Sequence, residues 1–155
     1  IDGVIISSPC LGMTIKVPTL KRILGSLLSY VWPSLTMANG LDATKLSHEP
    51  DVVSGYVNDP LVHDRVSARF FTELIAAMET VFQQVSRLNV PILMQIAGDD
   101  HMVNAQSSIA FMDSLVLQDK TLYVYDGLYH EIYNELKDHK NRVFADLENW
   151  LENHL

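Results

Sequence analysis

Three short apolar runs, each ended by polar or turn-forming residues, stand out along the chain at residues 4–6, 90–97 and 121–125. A strand that is buried on both faces of a sheet is apolar at nearly every position, whereas a strand with one solvated face alternates between apolar and polar residues. The three runs therefore predict three strands of a parallel sheet.

Helical spacing of apolar residues follows the second and the third run. It is found within residues 105–117 and again from residue 143 to the C-terminus. Alternation of strands and helices is typical of a parallel sheet with helices packed on its faces. We therefore predict an α/β fold.

The segment 11–88 breaks this alternation. Its apolar positions predict helices at residues 19–31 and 67–88, with no strand between them and with many turn signals in the connecting sequence. We interpret 11–88 as an inserted helical cap. Residues 1–10 would then be a core strand and turn, and residues 89–155 the C-terminal part of the core.

The first predicted cap helix carries an apolar stripe that has two interpretations. Tyr30 and Trp32 lie at its end, and Lys21 and Arg22 lie near its start. An amphipathic helix of this kind can bury its apolar face in a membrane surface. Such a stripe more often packs against the core of its own protein, and we favour that interpretation.

Composition and charge narrow the classes of function. The 155 residues are 48% apolar, which is enough for a sizeable core, and a net charge of −8 with a pI near 5.0 argues against binding of nucleic acid. Cys10 is the single cysteine, so no internal disulfide can form. The sequence therefore gives no sign of an oxidising compartment, and we expect a cytoplasmic protein. No apolar run reaches the ~18 residues of a membrane span, so we expect at most peripheral membrane contact through the cap.

Two side chains with catalytic potential follow strand ends. Asp100 comes after the run 90–97, and His130 comes after the run 121–125. Functional groups of an open parallel sheet collect beyond the carboxyl ends of its strands, and this order matches the last two members of a Ser…Asp…His triad. Asp99 is the alternative acid, because either Asp could instead cap the helix that follows.

The nucleophile of such a triad is missing from the sequence. No Gly-x-Ser-x-Gly pentapeptide, the strained turn that exposes a nucleophilic Ser, occurs in the chain. Ser7 and Ser8 lie at a strand end but lack the flanking glycines, and we interpret them as turn residues.

A zinc site is not predicted either. His130 and Glu131 begin a pattern similar to that of a zinc-binding helix, but Asn134 stands where the second His is needed. We interpret Glu131 and Glu135 as carboxylates favoured at the start of a helix.

Six segments carry a family resemblance. In chain order they are residues 2–9 (DGVIISSP), 39–42 (NGLD), 58–62 (NDPLV), 90–93 (VPIL), 97–103 (AGDDHMV) and 129–135 (YHEIYNE). This set resembles the monoacylglycerol lipase and lysophospholipase branch of the α/β-hydrolases, and the likeness covers the whole chain. The resemblance implies the C-terminal part of an α/β-hydrolase fold, a mostly parallel sheet with an inserted helical cap.

The same resemblance implies roles for the site residues. The acid of the family matches Asp100, with Asp99 as its nearest rival, and would orient His130 and stabilise its positive charge. His130 would act as general base on a Ser and then as general acid to the leaving alcohol. That Ser and the oxyanion hole would lie on an upstream segment, before Ile1, and neither a metal nor an organic cofactor is implied.

Hydrolysis of a lipid-like carboxylic ester, with monoacylglycerol as the first substrate to test, is the leading hypothesis. One alternative is a catalytically incomplete fragment or an inactive binding subunit, which the missing nucleophile motivates. Another is an esterase of the same fold for a different acyl substrate, such as a lysophospholipid.

Overall fold

The computed structural model describes residues 2–14 and 17–154. Ile1 at the start of the first predicted segment, Ile15 and Lys16 of the predicted cap, and Leu155 at the end of the last predicted helix lie outside the described residues. The elements follow in the order β1 (Val4–Ser7), α1 (Thr19–Val31), β2 (Thr36–Ala38), α2 (Pro50–Asn58), β3 (Arg65–Ser67), α3 (Ala68–Gln83), β4 (Ile92–Ala97), α4 (Ala105–Ser114), β5 (Lys120–Tyr125) and α5 (Lys137–Glu152), with turns of 3-10 helix at Ala43–Lys45, Val85–Arg87 and Ile132–Asn134.

A parallel sheet in the order β1-β4-β5 confirms the three predicted strands. β4 is central, with Leu93 paired to Ile5 on one side and to Thr121 on the other. Every residue of β4 is buried, which explains why this run is almost continuously apolar in the sequence. Because the strands are parallel, the loops that follow β4 and β5 leave from the same edge of the sheet.

The two faces of β4 contribute to two core clusters. Ile92, Met94 and Ile96 alternate on one face and pack against Phe111, Met112 and Leu115 of the α4 region. Ala97 belongs to the other face and packs with Tyr125, Leu128, Ile132 and Val143. The helices predicted after the second and third strands are therefore confirmed as α4 and α5, and they cover opposite faces of the sheet.

The segment 11–88 contains α1, α2 and α3 and also a small antiparallel sheet of β2 and β3. The predicted helices at 19–31 and 67–88 are confirmed as α1 and α3, with α3 ending at Gln83. The prediction that no strand lies between them was wrong. All three residues of β2 are exposed, so this pairing leaves no alternation of apolar and polar residues in the sequence. That 11–88 is a separate cap stays a prediction.

The apolar stripe of α1 is largely exposed. Between 47% and 70% of the residue surface remains accessible at Leu20, Ile23, Leu24, Leu27 and Val31. The interpretation that this stripe packs against the chain's own core was therefore wrong for the described residues. None of the helices in these residues is long and apolar enough to cross a membrane.

Candidate active site

The loop after β4 buries the carboxylate of Asp100. Its side chain is 1% exposed, and Oδ1 accepts hydrogen bonds from the backbone N–H groups of Met102 at 2.8 Å and Val103 at 2.9 Å. These two backbone donors fix the orientation of the carboxylate. Oδ2 is left to face the neighbouring loop.

The loop after β5 brings His130 to that second oxygen. Gly127 makes the turn with φ of +75°, a left-handed conformation that glycine adopts without strain. His130 Nδ1 lies 2.8 Å from Asp100 Oδ2, and the His130 side chain is 25% exposed. The structure thus brings Asp100 and His130 together at the edge where open α/β sheets bind their ligands.

The Asp100 carboxylate also changes the acidity of His130. The hydrogen bond to Asp100 raises the pKa of His130 above its ordinary value of 6.5, burial of the ring opposes this, and the charges of Asp100 and Glu131 add to the increase. When Nδ1–H donates to Asp100, the neutral ring keeps its lone pair on Nε2. The pair can therefore accept a proton from a group placed at Nε2.

Asp99, the rival acid, points elsewhere. Its side chain is 56% exposed, and Oδ1 lies 3.3 Å from Nε2 of His101. Two adjacent carboxylates therefore have different environments, one buried against His130 and one at the surface.

Gly98 allows the two loops to approach each other. Its N–H donates to the carbonyl of Tyr125 at 2.8 Å. A Cβ at this position would lie 2.9 Å from both the Tyr125 carbonyl oxygen and Cα of Asp126, closer than real Cβ atoms come to backbone. Glycine is therefore the residue that fits between the ends of β4 and β5.

A buried polar network supports the loop between β5 and α5. Gln95 is buried in β4, its Nε2 donates to Tyr125 Oη at 2.5 Å and to the Val143 carbonyl at 2.9 Å, and its Oε1 accepts from Tyr133 Oη. Tyr125 Oη donates in turn to Asp146 at 3.0 Å. Burial raises the pKa of Tyr125 far above its ordinary range, so this hydroxyl remains a donor. The network ties the two strands and α5 to the turn after β5.

Sequence reasoning missed a second His–carboxylate pair close to the first. Glu135, interpreted as a helix-start carboxylate, is 1% exposed, and its Oε1 lies 2.9 Å from both the Tyr129 backbone N and His48 Nδ1. His48 is 87 residues away along the chain, so no local pattern signals the contact. Glu131, in contrast, accepts a hydrogen bond from Nδ2 of Asn134 at 2.7 Å. Within residues 2–14 and 17–154, no three His, Cys, Asp or Glu side chains are grouped to hold a metal ion.

A small cavity of about 130 Å³ lies beside His130, and its walls include Ser7, Ser8 and Tyr133. Ser8 is buried with φ of +37°, and its hydroxyl accepts a hydrogen bond from the Ala97 N–H at 3.3 Å. This hydroxyl therefore stabilises the turn after β1 by bonding to the end of β4.

A family model and individual relatives assign the chain to the same family of proteins. Residues 1–137 match the Hydrolase_4 model, described as serine aminopeptidase, S33. Phospholipase YtpA of Bacillus subtilis is 35% identical over 136 residues, which are 87% of this chain and 52% of that protein. Monoglyceride lipase of Rattus norvegicus is 30% identical over 156 residues, covering 99% of this chain and 51% of the relative.

Solved structures agree with the sequence comparison. The monoacylglycerol lipase of Paleococcus ferrophilus superposes with a TM-score of 0.91 at 32% identity, over 100% of this chain and 60% of that one. The predicted α/β-hydrolase fold is thereby confirmed. The chain spans about half the length of the curated relatives that it matches.

Proposed function

Because the chain belongs to the serine aminopeptidase S33 family, in the monoacylglycerol lipase-like branch of the α/β-hydrolases, we propose that the whole protein hydrolyses carboxylic esters of lipids. Asp100 and His130 are the proposed acid and base. The observation that supports this most strongly is the 2.8 Å hydrogen bond between His130 Nδ1 and a buried carboxylate beyond the carboxyl ends of the parallel strands.

The proposed nucleophile is a Ser outside these 155 residues. This follows from the lack of a Gly-x-Ser-x-Gly elbow in the sequence and from the half-length coverage of the relatives. At least one N–H group of the oxyanion hole would also lie outside these residues, since it belongs to the residue after the nucleophile.

The proposed reaction has two halves. His130 Nε2 takes the proton of the Ser hydroxyl as its oxygen attacks the ester carbonyl, and then gives that proton to the leaving alcohol, which departs and leaves an acyl-enzyme. In the second half, His130 takes a proton from water, which attacks the acyl-enzyme, and returns the proton to the Ser as the acid leaves. Asp100 keeps Nδ1 protonated throughout and stabilises the imidazolium that forms.

Monoacylglycerol is the proposed substrate, because relatives that align with nearly all of this chain are named monoglyceride or monoacylglycerol lipase. Segment 11–88 would enclose the acyl chain, and the exposed stripe of α1 would touch the lipid surface from which the substrate comes. The similarity to phospholipase YtpA makes a lysophospholipid the second candidate.

Ester hydrolysis by the natural full-length protein tests this proposal. We expect release of fatty acid from a monoacylglycerol to exceed release from a lysophospholipid, and His130→Ala to lower kcat about 1000-fold or more, since members of a triad act as a unit. His139→Ala, which changes an exposed His on α5, is the matched control and should retain activity. Retention of full activity in His130→Ala would contradict the role of His130, whereas an inactive wild-type protein would support the binding-subunit alternative.

A further inference from the structure

Glu135 is a fully enclosed carboxylate with four donors around it. Oε1 accepts from the Tyr129 N–H and pairs with His48 Nδ1, both at 2.9 Å, and Oε2 accepts from the N–H groups of His48 and Leu136, both at 3.3 Å. Burial alone would raise the pKa of Glu135, but the hydrogen bonds from Tyr129, His48 and Leu136 outweigh it and lower the pKa. The group is therefore a buried anion that is held by hydrogen bonds, which is a costly feature unless it is satisfied in this way.

These contacts hold the backbone on both sides of His130. The residue before it, Tyr129, donates its N–H to Glu135, and the residue after it, Glu131, donates its N–H to the carbonyl of Leu46 at 2.8 Å. The two partners, Glu135 and Leu46, lie close together, because Leu46 is only two residues before His48 and His48 pairs with Glu135.

The segment 46–48 makes two further contacts with the same loop. The Ser47 hydroxyl donates to the carbonyl of Asn134 at 2.8 Å. The His48 ring stacks on the Tyr129 ring with centroids 3.7 Å apart. The loop of His130 is therefore bound to a segment that precedes it by more than 80 residues, and Glu135 is the buried group between them.

We propose that Glu135 is a positioning residue, which together with His48 fixes the loop 129–135 so that His130 stays at hydrogen-bonding distance from Asp100. The inference rests on the proposed function, because it takes His130 as the general base. The hydrogen bonds of Glu135 go to Tyr129, His48 and Leu136 and not to the side chain of Asp100 or His130, so Glu135 acts through the backbone of Tyr129. Segment 46–48 of the predicted cap thereby contributes to the placement of the base.

Glu135→Gln is the sharpest test in the full-length protein. Gln has one accepting oxygen, so whichever way the amide is turned its NH₂ group faces at least one backbone N–H that Glu135 accepts, either that of Tyr129 or those of His48 and Leu136. We expect kcat to fall roughly 10- to 100-fold through misplacement of the base, with KM within about threefold of wild type. The pKa of His130, followed by NMR of its imidazole, should move down towards the ordinary 6.5, because its bond to Asp100 weakens.

Two further variants separate positioning from general loss of stability. His48→Phe keeps an aromatic ring to stack on Tyr129 and the backbone N–H bond to Glu135 but removes the side-chain bond from Nδ1, and we expect the same changes to a smaller extent. It also provides the test if Glu135→Gln does not fold. Phe111→Leu, in the core cluster that packs α4 on the sheet, is a destabilised control. It should keep the pKa of His130 and the kcat, when kcat is calculated per active site that reacts with a fluorophosphonate.

Failure of the positioning role of Glu135 can be distinguished from failure of the proposed ester hydrolysis. A kcat within threefold of the Phe111→Leu control, or an unchanged His130 pKa in both loop variants, would overturn the role of Glu135. If wild-type protein hydrolyses no ester, the proposed function fails, yet the NMR titration still shows whether Glu135 holds His130 against Asp100.

Discussion

At the scale of single residues, Asp100 divides its two oxygens between different tasks. Oδ1 is held by backbone N–H groups of its own loop, whereas Oδ2 receives His130. The first set of bonds fixes the carboxylate, so the second can define the orientation and the tautomer of the imidazole.

Asp100→Asn tests this division of tasks. The amide can still accept from the loop through Oδ1, but its NH₂ group then faces Nδ1 of His130 and favours the tautomer that lacks a lone pair on Nε2. We expect kcat to fall about 1000- to 10,000-fold with little loss of folded protein. Asp99→Asn is the matched control at the exposed neighbour, and an equal effect of both substitutions would contradict the assignment.

The raised pKa of His130 predicts a pH dependence of activity. Only the neutral ring can act as base, so kcat/KM should fall as the pH drops through the raised pKa, with the midpoint of the acidic limb above 6.5. A midpoint at or below 6.5 in the measured profile would disagree with the Asp100 hydrogen bond.

The same pKa predicts how stability depends on pH. A pKa that is raised in the folded state means that folding favours protonated His130, so this stabilisation is complete below 6.5 and disappears as the pH rises through the folded-state value. The difference in Tm between wild type and His130→Ala should therefore shrink from pH 6 to pH 9. A difference that stays constant over that range would contradict the prediction.

The positions of Asp100 and His130 could be predicted from sequence, because each lies in the loop that follows an apolar run, after Ala97 and after Tyr125. The preference for Asp100 over Asp99 came from the family resemblance, because the local sequence pattern does not indicate which carboxylate the turn buries. The pair of Glu135 and His48 was also beyond sequence reasoning, since its two residues are joined by folding alone.

At the scale of elements, the three parallel strands and their helices were predictable because burial on both faces leaves a continuous apolar run. β2 and β3 were not, because strands of three exposed or half-buried residues carry no periodic signal. The exposed stripe of α1 shows a further limit: an amphipathic pattern identifies an apolar face but not what covers that face.

Gly98→Ala tests the close approach of the loops after β4 and β5. The new Cβ would lie 2.9 Å from backbone atoms of Tyr125 and Asp126, so we expect a loss of roughly 1–3 kcal/mol in the free energy of unfolding and a lower kcat, as the loops are pushed apart. Gly55→Ala in α2 is the matched control.

Nothing lies within 4 Å of a Cβ built on Gly55, so that substitution should instead add about 0.5–1 kcal/mol to the free energy of unfolding. Denaturant unfolding of both variants measures whether the free energy of unfolding falls in Gly98→Ala and rises in Gly55→Ala. Equal effects of the two substitutions would show that the approach of the loops at Gly98 is not tight.

At the scale of the whole molecule, the chain belongs to a lipase-like family of α/β-hydrolases, carries the proposed acid and base and the predicted cap 11–88, and spans about half the length of its curated relatives. The 0.91 TM-score with the Paleococcus ferrophilus enzyme shows that this half keeps the arrangement of the family. Its activity is expected only together with a Ser that the 155 residues do not provide in an elbow motif.

Covalent labelling of the full-length protein with a fluorophosphonate, followed by mass spectrometric mapping of the modified residue, tests this central claim most directly. We predict one modified Ser, located outside these 155 residues, and loss of the modification in His130→Ala. Modification of Ser7, Ser8 or any other Ser of this chain, or undiminished labelling in His130→Ala, would contradict it.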